Sequence, residues 1–123
     1  MAKETTKKLS KRSLPNGVKI SVKASFVKKG EELIVLDLRG ISSFTDYFII
    51  THGNSPRQNI ALYESIEQEL KKENIKPLSI EGKEHAEWIL MDYGSFIVHV
   101  FSKRAREYYS LEKLWGDALK VSY

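Results

Sequence analysis

The apolar positions of this chain change period several times, and each change marks an element. Leu33 to Leu38 is a near-continuous apolar run, the pattern of a strand covered on both faces. The segment DYFIITHG, residues 46–53, repeats it. Residues 18–29, VKISVKASFVKK, fit two templates. Val18, Ile20, Val22 and Ala24 alternate like a strand, whereas Val18, Val22, Ser25 and Phe26 share a helical face. Gly30 in the place of a C′ residue, after Lys28 and Lys29, favours the helix.

A second helix opens at Ser55, with Pro56 at its first position and Gln58 at its third, the capping-box arrangement. Leu62, Ile66 and Leu70 form its stripe, with Asn59 and Tyr63 alongside, and it ends near Glu73 and Asn74. Pro77 follows, and then a short strand over 78–81.

The stretch EWILMDYGSFIVHVF, residues 87–101, predicts a hairpin turning at Gly94-Ser95. Pairing outward from Tyr93 and Phe96 sets Asp92 against Ile97, Met91 against Val98, Leu90 against His99 and Trp88 against Phe101. Alternation puts Ile89, Met91, Tyr93, Phe96, Val98 and Val100 on one apolar face, to be covered by helices. The other face carries Trp88, Leu90, Asp92, Ile97, His99 and Phe101, and its mixed character makes it the candidate for polar function. Residues 106–117, REYYSLEKLWGD, predict a last helix with Tyr108, Leu111 and Trp115 on one stripe and Gly116 as its stop. On it Glu112 faces away from Leu114, toward Tyr108 or a partner. Together these elements predict an α/β fold with a mixed five-stranded sheet flanked by helices. One domain, 18–118, is expected between a basic flexible leader, 1–17, broken off at Pro15-Asn16-Gly17, and a short C-terminal tail, 119–123.

Charge changes this picture in one respect. The net charge is +4, but residues 1–30 hold nine of the Lys and Arg residues against the single acid Glu4. The remainder holds eleven bases and fifteen acids. The basic character therefore belongs to the N-terminal arm, and the folded part is mildly acidic. Zero cysteines exclude disulfides, thiolate nucleophiles and Cys-type zinc sites. His52, His85 and His99 lack ligand spacing, so no metal or other cofactor is expected. No apolar run reaches the ~18 residues of a membrane span, and no secretory signal is evident, so a cytoplasmic location is expected.

Asp92 and His99 share a face of the hairpin but are two pairs apart, which disfavours an acid–base dyad. Gly53-Asn54-Ser55, between a strand and a helix, resembles a phosphate-cradling junction. The paired carboxylates that nucleotidyl transfer needs for magnesium do not follow it, and Ser55 is explained by capping. Nucleotide transfer or binding is the alternative function. Asp37 and Asp46 flank the loop RGISSFT as turn residues, with Arg39 able to pair with either. The strongest signal is aromatic. Trp88, Tyr93, Tyr108, Tyr109 and Trp115 crowd the last third of the chain, and residues 81–92 carry four acids against one Lys. An apolar patch edged with acids suits a basic protein partner and repels nucleic acid.

The segments LDLRGISSFTDYFIITHGNSPRQ and IEGKEHAEWILMDYGSFIVHVFSKRAREYYSLEKLWGDA resemble the ribosomal silencing factor family, also called Iojap-related, over roughly residues 18–118. The resemblance implies a nucleotidyltransferase-like topology lacking the catalytic acids, and therefore a non-enzymatic protein. It implies binding to the large ribosomal subunit at ribosomal protein fourteen. Bound there, such a factor blocks joining of the small subunit and represses translation when nutrients run short. Organellar relatives act in ribosome assembly, and free members are described as homodimers. By motif position the resemblance nominates Trp88, Met91, Asp92 and Tyr93 on the hairpin, and Tyr108, Tyr109, Glu112 and Trp115 in the C-terminal signature. The leader, 1–17, is the main departure from the pattern and a candidate for rRNA contact.

Overall fold

Three of the apolar runs become neighbouring central strands, because a strand with no polar face must be covered on both sides. The computed structural model of the chain describes residues 10–123. Strands β1 (Glu31–Asp37), β2 (Tyr47–Gly53), β3 (Ser79–Glu81), β4 (Trp88–Asp92), β5 (Phe96–Ser102) and β6 (Leu119–Ser122) form one sheet in the order β3-β4-β5-β2-β1-β6. Only β2 and β5 pair in parallel. The hairpin register is the one its alternation predicts, from Trp88 opposite Phe101 to Asp92 opposite Ile97.

Helices α1 (Asn16–Val27) and α2 (Pro56–Lys72) cover one face of the sheet. There Val18, Val22, Leu62, Ile66 and Leu70 pack on Val35, Ile49, Ile89, Met91, Val98 and Val100. The serines inside α1 are tolerated because Ser21 and Ser25 donate to the carbonyls one turn back, Gly17 O and Ser21 O, at 2.8 Å each. Ser55 Oγ accepts from Gln58 N at 3.1 Å, as the capping pattern predicts. The Gln58 amide reaches further: Oε1 takes Asn54 N, and Nε2 donates to Lys28 O and Lys29 O at the end of α1. One side chain thus joins the start of α2 to the end of α1.

The opposite face has a thinner cover, made by the short helices α3 (Lys103–Tyr109) and α4 (Leu111–Leu114) and the chain after them. Ala105, Leu111, Trp115 and Ala118 pack on Ile34, Leu36, Phe48, Ile50, Ile97 and Phe101.

The structure corrects several expectations. The sheet has six strands, not five, because residues 119–122 pair antiparallel with β1 instead of trailing as a tail. Four residues with one alternation carry too short a pattern to read, and the free edge of β1 supplies the pairing. The last helix is two, broken at Ser110, which adopts a left-handed conformation with φ of 46°. The break separates Tyr108 from Leu111 and Trp115, so the predicted common stripe does not exist. The C′ residue of α1 is Lys29, at φ of 62°, and not Gly30. Gly30 N bonds Ser25 O at 2.8 Å and Lys29 N bonds Phe26 O at 2.9 Å, the two bonds of a Schellman ending.

Pro15, expected within a break, is the N-cap of α1, and Leu14 is buried in the main core. The folded unit thus begins inside the expected leader. The flexibility expected of residues 1–9 lies outside the described residues. Gly17 is placed by packing: a Cβ there would meet Phe96 Cε1 at 2.6 Å.

Candidate protein-docking face

The thinly covered face of the sheet carries a continuous band of rings. It begins at Phe44, in the β1–β2 loop, whose ring lies 6.1 Å from Trp115. Trp115 meets Phe48 at 6.0 Å, and Phe48 meets His99 at 4.4 Å. Trp88 lies 4.9 Å from Phe101 and 4.6 Å from Tyr109, and Tyr109 meets Tyr108 edge to face at 5.0 Å. The middle of the band is buried, and its ends are open. Phe44 is 58% exposed, Tyr109 49% and Tyr108 80%.

Strand alternation aims Trp88, His99 and Phe101 at this face, and α3 leans Tyr109 onto Trp88 from the end of β5. Ser102 starts α3 by accepting from Ala105 N, and its hydroxyl donates to Glu87 Oε1 at 2.7 Å. The beginning of β4 is thereby fastened to the beginning of α3.

Trp88 Nε1 donates to His99 Nδ1 at 3.0 Å. The His99 proton is accordingly on Nε2, which is buried and has no partner. Burial lowers the His99 pKa from 6.5 to about 3, so the ring is neutral. Asp92 Oδ1 instead accepts from Gly94 N at 2.8 Å and steadies the hairpin turn. The two candidates for a dyad serve separate structural bonds.

Of the eight nominated residues, the structure brings Trp88, Tyr108 and Tyr109 together at one open end of the band. Trp115 lies in the band and supports Phe44 at the other end. Asp92 is half-buried at the hairpin turn. Met91 is 0% exposed and Tyr93 is buried, both on the opposite face under the large helices. Their nomination as partner contacts is corrected: neighbours in a strand point to opposite faces, so a contiguous motif cannot lie on one surface. Tyr93 stacks on Phe96 at 4.9 Å, and burial with the Glu67 carboxylate nearby raises its pKa.

Glu112 is engaged within the chain, with its side chain still 30% accessible. Its Oε2 accepts from Arg106 Nε at 3.0 Å and Nη2 at 2.8 Å. Arg106 is the residue that sequence reasoning missed. Its Nη1 donates to Glu31 O at 3.2 Å and to His52 Nδ1 at 3.0 Å. This buried guanidinium ties α3 to α4 and to β1 and β2. Burial first, and then the Arg106 charge, lower the His52 pKa. The available signal was an Arg and a Glu six apart across Ser110, which a straight helix would not bring together.

The Gly53-Asn54-Ser55 junction is committed to capping, since Asn54 N and Gln58 N are both bonded within it. Asp37 Oδ1 accepts from Arg39 N at 3.0 Å, the turn chemistry expected, and the carboxylate also holds the Arg39 guanidinium through Nε at 3.0 Å and Nη2 at 2.7 Å. Among the described residues no group of His, Asp and Glu could hold a metal ion, and no helix is long and apolar enough to cross a membrane.

The sequence model of the family described as Ribosomal silencing factor during starvation matches residues 11–122. The Ribosomal silencing factor RsfS of Bacillus subtilis is 45% identical over 101 residues, which cover 82% of this chain and 86% of that protein. Mitochondrial assembly of ribosomal large subunit protein 1 of Mus musculus is 32% identical over 91 residues, covering 72% of this chain and 40% of that protein. A crystal structure of a protein from Chromobacterium violaceum superposes with a TM-score of 0.79 at 36% identity, covering 81% of this chain and 83% of that one. Another, from Bacillus halodurans, gives 0.76 at 39% identity over 86% of this chain and 96% of that one.

Proposed function

Because the chain belongs to the ribosomal silencing factor family, we propose that it docks on the large ribosomal subunit at ribosomal protein fourteen and keeps the small subunit from joining. The observation that carries this reading is the open aromatic end of the band, Trp88, Tyr108 and Tyr109, beside the acidic segment 81–92. Exposed aromatic anchors next to acids fit a basic protein surface. The action is occupancy: no bond is made or broken, and residence time sets how long the subunits stay apart.

The basic N-terminal residues are proposed to add a contact with rRNA. Leu14 belongs to the core, so the deletion that tests this contact removes residues 1–9 only. A weakened salt dependence of binding is its expected result.

The main test is co-sedimentation with separated large and small subunits, followed by a subunit-joining assay. Binding to the large subunit alone, with fewer joined ribosomes, is expected. Binding to neither subunit would overturn the reading.

A further inference from the structure

We propose that the corner between Tyr108 and Tyr109, closed by Trp88 and Glu87, receives a lysine or arginine side chain of the docked protein. This rests on the docking reading above and names the chemistry of its central contact. The two tyrosine rings stand at 89° to each other with centroids 5.0 Å apart, so they form two walls of a corner. Trp88 lies 4.6 Å from Tyr109, inclined at 46°, and lines the same open cleft of about 520 Å³. Aromatic faces attract cations through their quadrupole, and converging faces add.

Glu87 supplies the counter-charge. Its Oε1 is fixed by the Ser102 hydroxyl, and its Oε2 lies 3.5 Å from Arg104 Nη2. The carboxylate thus already takes a guanidinium at this rim. That pair is largely exposed, with the Arg104 side chain 86% accessible, so it holds weakly and an incoming cation can exchange with it. His85 is the remaining titratable group of the cleft besides the two tyrosines. An anionic group would meet Glu87 and the negative ring faces and would have only the Arg104 guanidinium in its favour, while a purely apolar one would leave Glu87 unused.

Two measurements test the corner. In the first, N-acetyl-arginine methylamide is titrated into the full-length protein and followed by NMR. Saturable shifts are expected at the Trp88 indole N–H and the Tyr108 and Tyr109 amides. The neutral citrulline analogue should cause none, and Tyr108→Leu should abolish the arginine effect. Equal shifts with citrulline, or none with arginine, overturn the proposal. In the second, Tyr108→Leu and Glu87→Gln should each weaken sedimentation with large subunits by about threefold to tenfold. Tyr108→Phe, which keeps the ring, should restore most of the Tyr108→Leu loss. Wild-type sedimentation that both variants match overturns the corner and leaves the docking reading standing. Arginine binding without any sedimentation does the reverse.

Discussion

Trp88 and His99 sit on paired strands, and the indole N–H of one donates to the imidazole Nδ1 of the other at 3.0 Å. The bond joins a partly exposed residue of the thinly covered face to a ring buried in the sheet. It fixes the tautomer of His99 and the plane of Trp88 together. The His99 pKa is lowered from 6.5 to about 3 by burial, whereas the unfolded chain titrates near the ordinary value. Protons therefore favour the unfolded state as pH falls. The stability that His99 contributes is complete above pH 6.5 and is lost progressively toward pH 3. His52, also lowered, acts in the same direction. Between pH 7 and pH 5 the His99 part is about 2 kcal/mol. Urea unfolding at the two pH values should show that loss in the wild type. His99→Gln, which keeps an acceptor for the indole and does not titrate, should lose less. Equal losses would remove His99 from the account.

Trp88 itself is anchored by His99, Phe101 and Tyr109, but it remains partly open. Trp88→Ala is expected to keep the far-UV spectrum while losing about 2 kcal/mol or more of affinity for the large subunit, roughly thirtyfold. Undiminished binding by a folded Trp88→Ala would take Trp88 out of the interface.

Arg106→Met should destabilise the protein by about 3–5 kcal/mol, because the buried guanidinium serves Glu112, His52 and the Glu31 carbonyl together. Removing Glu112 as well should cost less than the sum of the two single losses, since each leaves the other's charge unpaired. Denaturant midpoints of the two single variants and the double variant measure the coupling. Additive losses would mean that the pair contributes nothing beyond its separate contacts.

Gly17→Ala should destabilise by about 1–3 kcal/mol through overlap with the Phe96 ring. Phe96→Leu in the same chain should recover part of that loss by vacating the position of Cε1. A thermal melt that separates the double variant from Gly17→Ala alone checks the contact. Indistinguishable melts would mean that α1 shifts to accommodate the methyl.

The hydrophobic pattern alone determined the central strands, the long helix α2 and the hairpin register, because each rests on a period repeated within one element, whereas α1 fitted two periods and was read as a helix from its C-terminal residues. It also determined which hairpin face lies under the helices, since alternation leaves no choice once the register is set. The absence of a carboxylate pair after Gly53-Asn54-Ser55 was likewise plain. Tertiary structure decided the remainder. Strand β6 exists because β1 offers an edge, not because Leu119 and Val121 spell a strand. The separation of Tyr108 from Trp115 depends on one backbone angle at Ser110. The Arg106–Glu112 pair needs that same bend, and it gives a nominated partner residue an internal bond as well. Met91 and Tyr93 adjoin Trp88 and Asp92 in sequence but lie on the other face, as the alternation of the hairpin already implied against their nomination by motif. A short motif records which residues occur together, whereas a surface consists of side chains that point the same way; alternation sets that direction within a strand, and only the fold sets it between elements.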